Sequence, residues 1–559
     1  MQSPQSILMQ FHNVKGQDIF AGRYTCMAIV VLLTLLAAFC WAAQFISGLW
    51  FTIGMVLIAV GIRDVIQTRH AVLRNYPIIG HMRFFFEYIR PELRQYFFES
   101  DTDAIPFSRQ QRAMVYQRAK GESDKRPFGT QLDTYAQGYE WINHSLQPTQ
   151  PATHDFRITI GQGARAYSAS VFNISAMSFG ALSANAILAL NTGAKAGGFM
   201  HDTGEGSISR YHREPGGDLV WEIGSGYFGC RHSDGTFSEE RFIENATQEQ
   251  VKLIEIKLSQ GAKPGHGGVL PGPKVTAEIS EARGVPIGQD CISPASHSAF
   301  NTPTELLQFV DRLRKLSGGK PTGIKLAIGH PWEWFAIVKA MLATGITPDF
   351  IVVDGKEGGT GAAPAEFIDR MGTPLQEGLL LVHNTLVGVN LRSRIKIGAA
   401  GKIISAFDLV RTLALGADWC NSARGFMFAL GCIQAQSCHT GTCPTGVTTQ
   451  DPQRQQALVV PNKAERVLNF HQQTLHALKE LVAAAGLHHP GEFTPQHIIR
   501  RGEGAEVLPL SSVYTLLEPG ELLSGAAVPA NQSRAHNEVF TKYWPLASAT
   551  QFSLPKPSA

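Results

Sequence analysis

Charge is scarce in this sequence: Asp, Glu, Lys and Arg make up only 17% of its 559 residues and leave a net charge of +3. A chain this close to neutral has no electrostatic footprint for nucleic acid, so no nucleic-acid partner is expected. Cysteine is scarce too. Eight cysteines cannot build a disulfide framework at this length, and three of them lie close together, which points to metal before disulfides. Glycine is plentiful, at 55 residues beside an ordinary 44% hydrophobic content, and this suits tight turns and backbone-lined ligand sites in an α/β enzyme. The length exceeds what one core organises, so one large domain with appended segments, or two domains, is expected.

Charge is missing altogether from residues 24–62, an apolar run about twice the ~20 residues that cross a bilayer as one helix. Gln44, Ser47 and Gly48 supply a polar turn in its middle, so two helices in a transmembrane hairpin are expected, with membrane lipid around residues 24–62. Lys15 and Arg23 precede the run and Arg63, Arg69 and Arg74 follow it. By the positive-inside rule both ends lie in the cytoplasm, which places the chain in the cell inner membrane with its large domain cytoplasmic. A cleaved signal peptide fits poorly, because the run is too long and follows a polar stretch, residues 1–23. A buried core hairpin is the soluble alternative.

Residues 63–164 are polar and aromatic, punctuated by Pro77, Pro91, Pro106 and Pro127, and are read as a connector packing on the main domain. From 165 to 485 the texture becomes short apolar runs, each leading into a glycine-rich loop and a helix-like stretch. The runs are 171–176, 199–202, 253–258, 287–292, 323–328, 350–354, 395–399 and 419–422. Eight alternating units fit a (β/α)8 TIM barrel, whereas an open dinucleotide-binding sheet should carry G-x-G-x-x-G after its first strand, and no such motif follows the first run here. Residues 486–559 lack the rhythm and are expected to wrap the barrel as a tail.

In such a barrel the loops after the strands form the active face. After the last two runs come Gly398-Ala-Ala-Gly401-Lys402 and Asn421-Ser-Ala-Arg424-Gly425, where small residues and two cations suit a phosphate. Asp354 stands at the end of the 350–354 run. Lys263 and Lys274 lie in a glycine-rich loop suited to an anionic substrate, and Lys325, among apolar neighbours, either points into the barrel mouth or snorkels outward. Cys432, Cys438 and Cys443 are separated by five and then four residues, unlike the paired knuckles of structural zinc, and Pro444 follows the last of them. Three thiolates suit an iron–sulfur cluster with one unligated corner, such as 3Fe-4S. A zinc site using His439 and a group of buried structural cysteines are the rival readings.

Ser175-Ala-Met-Ser-Phe-Gly-Ala-Leu-Ser183, Thr203-Gly-Glu-Gly206, Gln260-Gly-Ala-Lys-Pro-Gly, Gly358-Gly-Thr-Gly-Ala and the cysteine loop occur in this order. Together they resemble the FMN-binding synthase domain of the glutamate synthase family, over about 165–480. The stand-alone, membrane-associated relatives in that family are similar over 76–86 and 115–129 as well. The resemblance implies an FMN and 3Fe-4S oxidoreductase that reduces 2-iminoglutarate, formed from 2-oxoglutarate and ammonia, with electrons from an external donor, ferredoxin-like or a membrane carrier. It implies that Ser175, Ala176, Met177 and Ser178 lie along the flavin ring, with Gly401, Lys402, Arg424 and Gly425 around the phosphate. Lys325, Asp354, Gly358, Gly359 and Thr360 are implied on the cofactor side as well. Gln260, Lys263 and Lys274 are implied to face flavin and dicarboxylate, and Glu205 to handle the imine.

The sequence also departs from that family. No glutaminase domain with an N-terminal cysteine is recognisable, so no glutamine hydrolysis is expected. His266, Val269 and Pro273 stand where the family motif has Glu, Gln and His, which bears on the substrate. The alternatives are therefore an FMN dehydrogenase or amine-transfer enzyme for another amino, imino or 2-oxo acid and, in a different class, a non-catalytic ligand-binding component of a membrane complex.

Overall fold

The computed structural model describes residues 24–100, 102, 106–524 and 534–555. Residues 1–23, with Lys15 and Arg23 on which the orientation of the hairpin rests, lie outside the described residues. The chain forms two compact units, Met1–Ser100 and Asp101–Ala559.

In the first unit, helices α1 (Thr25–Ala42) and α2 (Leu49–Ile66) are each long and apolar enough to cross a membrane. Gln44, in the left-handed conformation at φ 61°, reverses the chain between them. They meet where Gly54 lies against Thr34, and any side chain at 54 would collide with it. The Thr34 hydroxyl donates to the Val30 carbonyl at 2.7 Å, so no polar group is left open at the crossing. Leu32, Leu33, Leu35, Leu36 and Phe39 are exposed. Asp64, near the end of α2, is buried; it accepts from the Ile78 N–H at 3.0 Å and pairs with His81 at 2.9 Å. That clasp ties helix α3 (Gly80–Leu93) to the base of the hairpin.

The second unit is built on a closed barrel of eight parallel strands. They are β1 (Phe172–Ile174), β2 (His201–Asp202), β3 (Leu219–Ile223), β4 (Val251–Lys257), β5 (Thr322–Leu326), β6 (Phe350–Asp354), β7 (Lys396–Ala400) and β8 (Trp419–Ser422). β8 pairs with β1 through Cys420–Phe172 and Asn421–Asn173, which closes the ring. One expected run is corrected. Residues 287–292 are not in the barrel: Cys291–Ile292 pairs antiparallel with Val269–Leu270 in a short ribbon, and Ile287 and Ile292 are exposed. The third strand is instead Leu219–Ile223, which hydrophobic run-finding passes over because Glu222 interrupts it. The other expected runs coincide with barrel strands.

Alternation along the strands sorts the interior into layers. The lowest is apolar, formed by Met200, Val220, Leu253, Phe350, Val352 and Trp419, and packs with Ile160 and Ala169 of the antiparallel ribbon Arg157–Ile160/Tyr167–Ser170. Above it the inward positions are charged: Asp202, Glu222, Glu255 and Lys325, all buried. The intervening positions, such as Trp221, Ile254, Ile256, Ile324 and Val353, point outward into the main core under the helices. Among these helices Ala184–Gly197 packs closely on Val460–Ala484, because Gly193 lets the backbones approach; a Cβ at 193 would lie 2.8 Å from the Ala464 carbonyl. The tail returns as strand Ile498–Arg501, antiparallel to Glu140–Ile142.

Candidate active site at the carboxyl ends of the strands

At the ends of β3 and β4 a cavity is lined by Glu205, Ser225, Lys257, Ser259, Gln260 and His266. Lys257 organises it: its Nζ lies 3.3 Å from the Glu205 carboxylate and donates to Gln260 Oε1 at 2.9 Å. Glu205 and Gln260, expected from sequence at separate loops, are thus brought together by a lysine that sequence reasoning missed. Its signal is the Ile-Glu-Ile-Lys alternation of residues 254–257, which puts two charges on the inward face of an apolar strand. Glycine makes the room: a Cβ at Gly268 would strike the Glu205 carboxylate. Lys263 is 1% exposed and its Nζ has no hydrogen-bond partner. Burial draws its pKa below the ordinary lysine value. A buried ammonium with nothing opposite it costs several kcal/mol, which an anionic ligand would offset.

Ser175, Ala176, Met177 and Ser178 form a ledge above β1. The Ser175 N–H donates to the Ser422 carbonyl at 3.1 Å, and Gly204 lies so close that a Cβ there would be 2.7 Å from Ser178 N. Arg283, buried behind the ledge, donates to the Phe179 carbonyl at 2.9 Å and to Ser178 Oγ at 3.3 Å. Sequence reasoning missed this arginine, because no local pattern connects it to a loop more than a hundred residues earlier.

The β6–β8 loops carry the remaining expected cofactor residues. Asp354 accepts from the Gly261 N–H at 2.9 Å, and burial holds its carboxyl above the usual range. Lys402 adopts a left-handed φ of 52° and places its Nζ 5.6 Å from the Phe107 ring. Arg424 donates to the Gly359 carbonyl at 3.3 Å and reaches Cys438 Sγ at 3.8 Å, joining the loop of Gly358, Gly359 and Thr360 to the cysteine loop. Among the described residues neither cation makes an ion pair with a carboxylate, so an anion would complete them. Gly401 lies against Glu357, and Gly425 packs on Ser422, leaving no room for a side chain.

Cys432 and Cys443 are buried and Cys438 half-buried. Burial pushes the Cys432 thiol up to about 11. At Cys443 burial acts the same way, but hydrogen bonds from Thr448 and Thr445 outweigh it and bring the thiol down to about 7. Lys274 is found here rather than in the Lys257 cavity, donating to the carbonyls of Cys438 at 2.6 Å and Thr448 at 3.2 Å. Lys274 and Arg424 lie beside the loop, and Cys443 is the sulfur whose surroundings favour a thiolate. A single ion needs converging donors. Among the described residues the three side chains whose ligand atoms come within 4.8 Å are Asp202, Glu222 and Glu255, not the cysteines.

Lys325 points into the barrel, not outward. Its Nζ donates to Glu222 Oε2 at 2.5 Å and lies 3.9 Å from Glu255, while Lys257 lies 3.7 Å from Glu222. Burial pushes the Asp202 carboxyl up to about 7, helped by the charge on Glu222, and holds Glu255 well above the carboxylate range. Burial acts on Glu222 too, but Lys325 and Lys257 outweigh it and keep that carboxyl ionised.

A closed parallel barrel whose polar groups gather at the carboxyl ends of its strands is the architecture of a barrel enzyme. Residues 150–488 match the family described as the conserved region in glutamate synthase. The glutamate synthase large subunit-like protein YerD of Bacillus subtilis is 37% identical over 513 residues, covering 84% of this chain and 97% of that one. The archaeal glutamate synthase [NADPH] of Methanocaldococcus jannaschii is 38% identical over 315 residues, 56% of this chain and 58% of that protein. The chain belongs to the glutamate synthase family, and it is a glutamate synthase-type oxidoreductase. It spans a little over half the length of the archaeal enzymes, and the NADPH in their names is said of them.

Proposed function

We propose that the chain binds FMN and a 3Fe-4S cluster and reduces 2-iminoglutarate, formed from 2-oxoglutarate and ammonia, to glutamate with electrons from an external donor. The observation that carries this is the Glu205–Lys257–Gln260 group in a glycine-walled cavity, with the buried Lys263 ammonium, which has no hydrogen-bond partner, within electrostatic reach of Glu205. Lys263 would hold a substrate carboxylate, Gln260 would orient the nitrogen, and Glu205 would supply its proton. FMN would be held by the 175–178 ledge, Lys402 and Arg424 and, when bound, supplies the hydride. Cys432, Cys438 and Cys443 would ligate the cluster, with Lys274 and Arg424 stabilising the thiolates. Helices α1 and α2 would anchor the chain in the cell inner membrane with the barrel in the cytoplasm.

His266 on the cavity wall, facing Phe367 at 5.5 Å, favours a second reading in which another imino or 2-oxo acid is the substrate. Anaerobic reoxidation separates the two. Reduced protein given 2-oxoglutarate and ammonium should regain its oxidised flavin spectrum and release glutamate; if it stays reduced while another 2-oxo acid with ammonium oxidises it, the second reading holds.

A further inference from the structure

Saturating a C=N bond takes a hydride at carbon and a proton at nitrogen, so the group that gives the proton must be refilled each turnover. Glu205 is in place to give it, and behind Glu205 a line of charged side chains runs into the barrel. Lys257 Nζ stands 3.3 Å from Glu205 and 3.7 Å from Glu222; Lys325 Nζ stands 2.5 Å from Glu222 and 3.9 Å from Glu255. Glu255 and Asp202 offer oxygens within 4.8 Å of each other. The line draws on β2, β3, β4 and β5, so it exists only once the barrel closes.

We propose that Asp202 and Glu255 are a proton store and that Glu222, Lys325 and Lys257 pass its proton to Glu205, an assignment that rests on the imine-reductase reading above.

The charges require stored protons. Five carboxyls (Asp202, Glu205, Glu222, Glu255 and Asp354) face three ammoniums (Lys257, Lys263 and Lys325), and His297, which donates to the Lys257 carbonyl at 2.8 Å, is held neutral by burial. Two uncompensated negative charges in a dry barrel cost more than keeping protons on the carboxyls. Crowding of like charges then makes Asp202 and Glu255 the acids that stay protonated near neutrality. A metal ion is not what the three carboxyls hold, because the Lys325 ammonium already fills that role. Below them a cavity of about 10 Å3 between Asp202, Glu255, Asn173 and Asn421 has room for one water, and Glu255 Oε1 has no hydrogen-bond partner in the protein. As the substrate nitrogen takes up a proton, Glu205 passes on one that Lys257 gives it, and Lys257 takes one from Glu222. Glu222 receives that proton from Lys325, which is refilled by Glu255. Only protons move: the store loses one, the substrate nitrogen gains one, Glu205 ends as it began, and solvent later restores the store. The flexible lysine stems close the longer gaps.

The store is read first without turnover, by infrared spectroscopy of the purified protein at neutral pH. A protonated-carboxyl stretch that shifts in D2O is expected, diminished in Glu255→Gln and in Asp202→Asn, which tests the store even if one variant misfolds. Then, in single-turnover reoxidation by 2-oxoglutarate and ammonium, Glu255→Gln should slow the step roughly tenfold or more, shift its pH profile and leave KM and reduction by dithionite unchanged. A wild-type protein with no exchangeable carboxyl band, or a Glu255→Gln variant with wild-type rate and pH profile, overturns the proposal. A normal band in a protein that 2-oxoglutarate cannot oxidise overturns the substrate reading and leaves the store standing.

Discussion

Lys263 holds its ammonium in the barrel mouth with no carboxylate or carbonyl to receive it. Lys263→Met keeps the stem and removes the charge, so the ligand-free protein should become more stable while KM for 2-oxoglutarate rises roughly 10–100-fold, the worth of one charged hydrogen bond. Steady-state kinetics and urea unfolding check the two halves. The pH dependence follows as well. Because burial lowers the folded pKa, the unfolded chain binds more protons between that lowered value and the ordinary lysine value of about 10.4, and stability rises with pH over that window. Lys263→Met should flatten that rise. At the cysteine loop, Cys438→Ser should strip iron from the protein and abolish its paramagnetic signal while flavin content stays near wild type, as iron analysis with electron paramagnetic resonance would read.

Elements were legible in the sequence where hydrophobicity alone made the strand. β6 reads as an apolar run because Phe350 and Val352 fill its inward positions, and the seven-residue β4 stays legible despite Glu255 and Lys257, whereas the five-residue β3 with Glu222 was passed over and a spurious run at 287–292 took its place. The buried charged layer was illegible for a related reason. Asp202, Glu222, Glu255 and Lys325 lie on four different strands, and only barrel closure makes them neighbours. The cysteine loop, by contrast, is compact in sequence, so its three thiols are near one another along the chain before any fold is known. Packing between elements yields its own prediction at Gly193. Glycine to alanine inside a helix ordinarily stabilises by about 1 kcal/mol. Here the added Cβ would lie 2.6 Å from Val467 Cγ1 and 2.8 Å from the Ala464 carbonyl, and backbone cannot yield cheaply. Overpacking should win, so Gly193→Ala is expected to destabilise by about 1–3 kcal/mol in urea titrations.

At the scale of the whole molecule, the hairpin and the barrel answer different tests. Removing residues 1–66 deletes both apolar helices, and the protein should move from the membrane fraction to the soluble fraction on ultracentrifugation with its flavin spectrum retained. The barrel unit has its own weakness, towards acid. His201 and His471 are pulled down to about 3, and His297 and His383 to about 4, each chiefly by burial. None of them carries a proton in the folded state near pH 6, whereas in the unfolded chain all titrate near 6.5. As pH falls from about 6.5 towards 4, the unfolded chain therefore gains protons that the fold refuses, and stability drops by up to about 1.4 kcal/mol per pH unit for each imidazole. Asp202 works the other way: with its folded pKa raised to about 7, its contribution is present at low pH and is lost as pH rises through 7. Glu255 and Asp354, also raised by burial, act in the same direction as Asp202, so three carboxyls offset part of the fall from four imidazoles and the net slope should be downward but moderate. His471 stacks on Phe199 at 3.8 Å and accounts for one share. Urea midpoints measured from pH 7 to pH 4.5 should fall continuously, and His471→Gln should make that fall shallower; a flat profile for the native protein would mean that these imidazoles take up protons without unfolding.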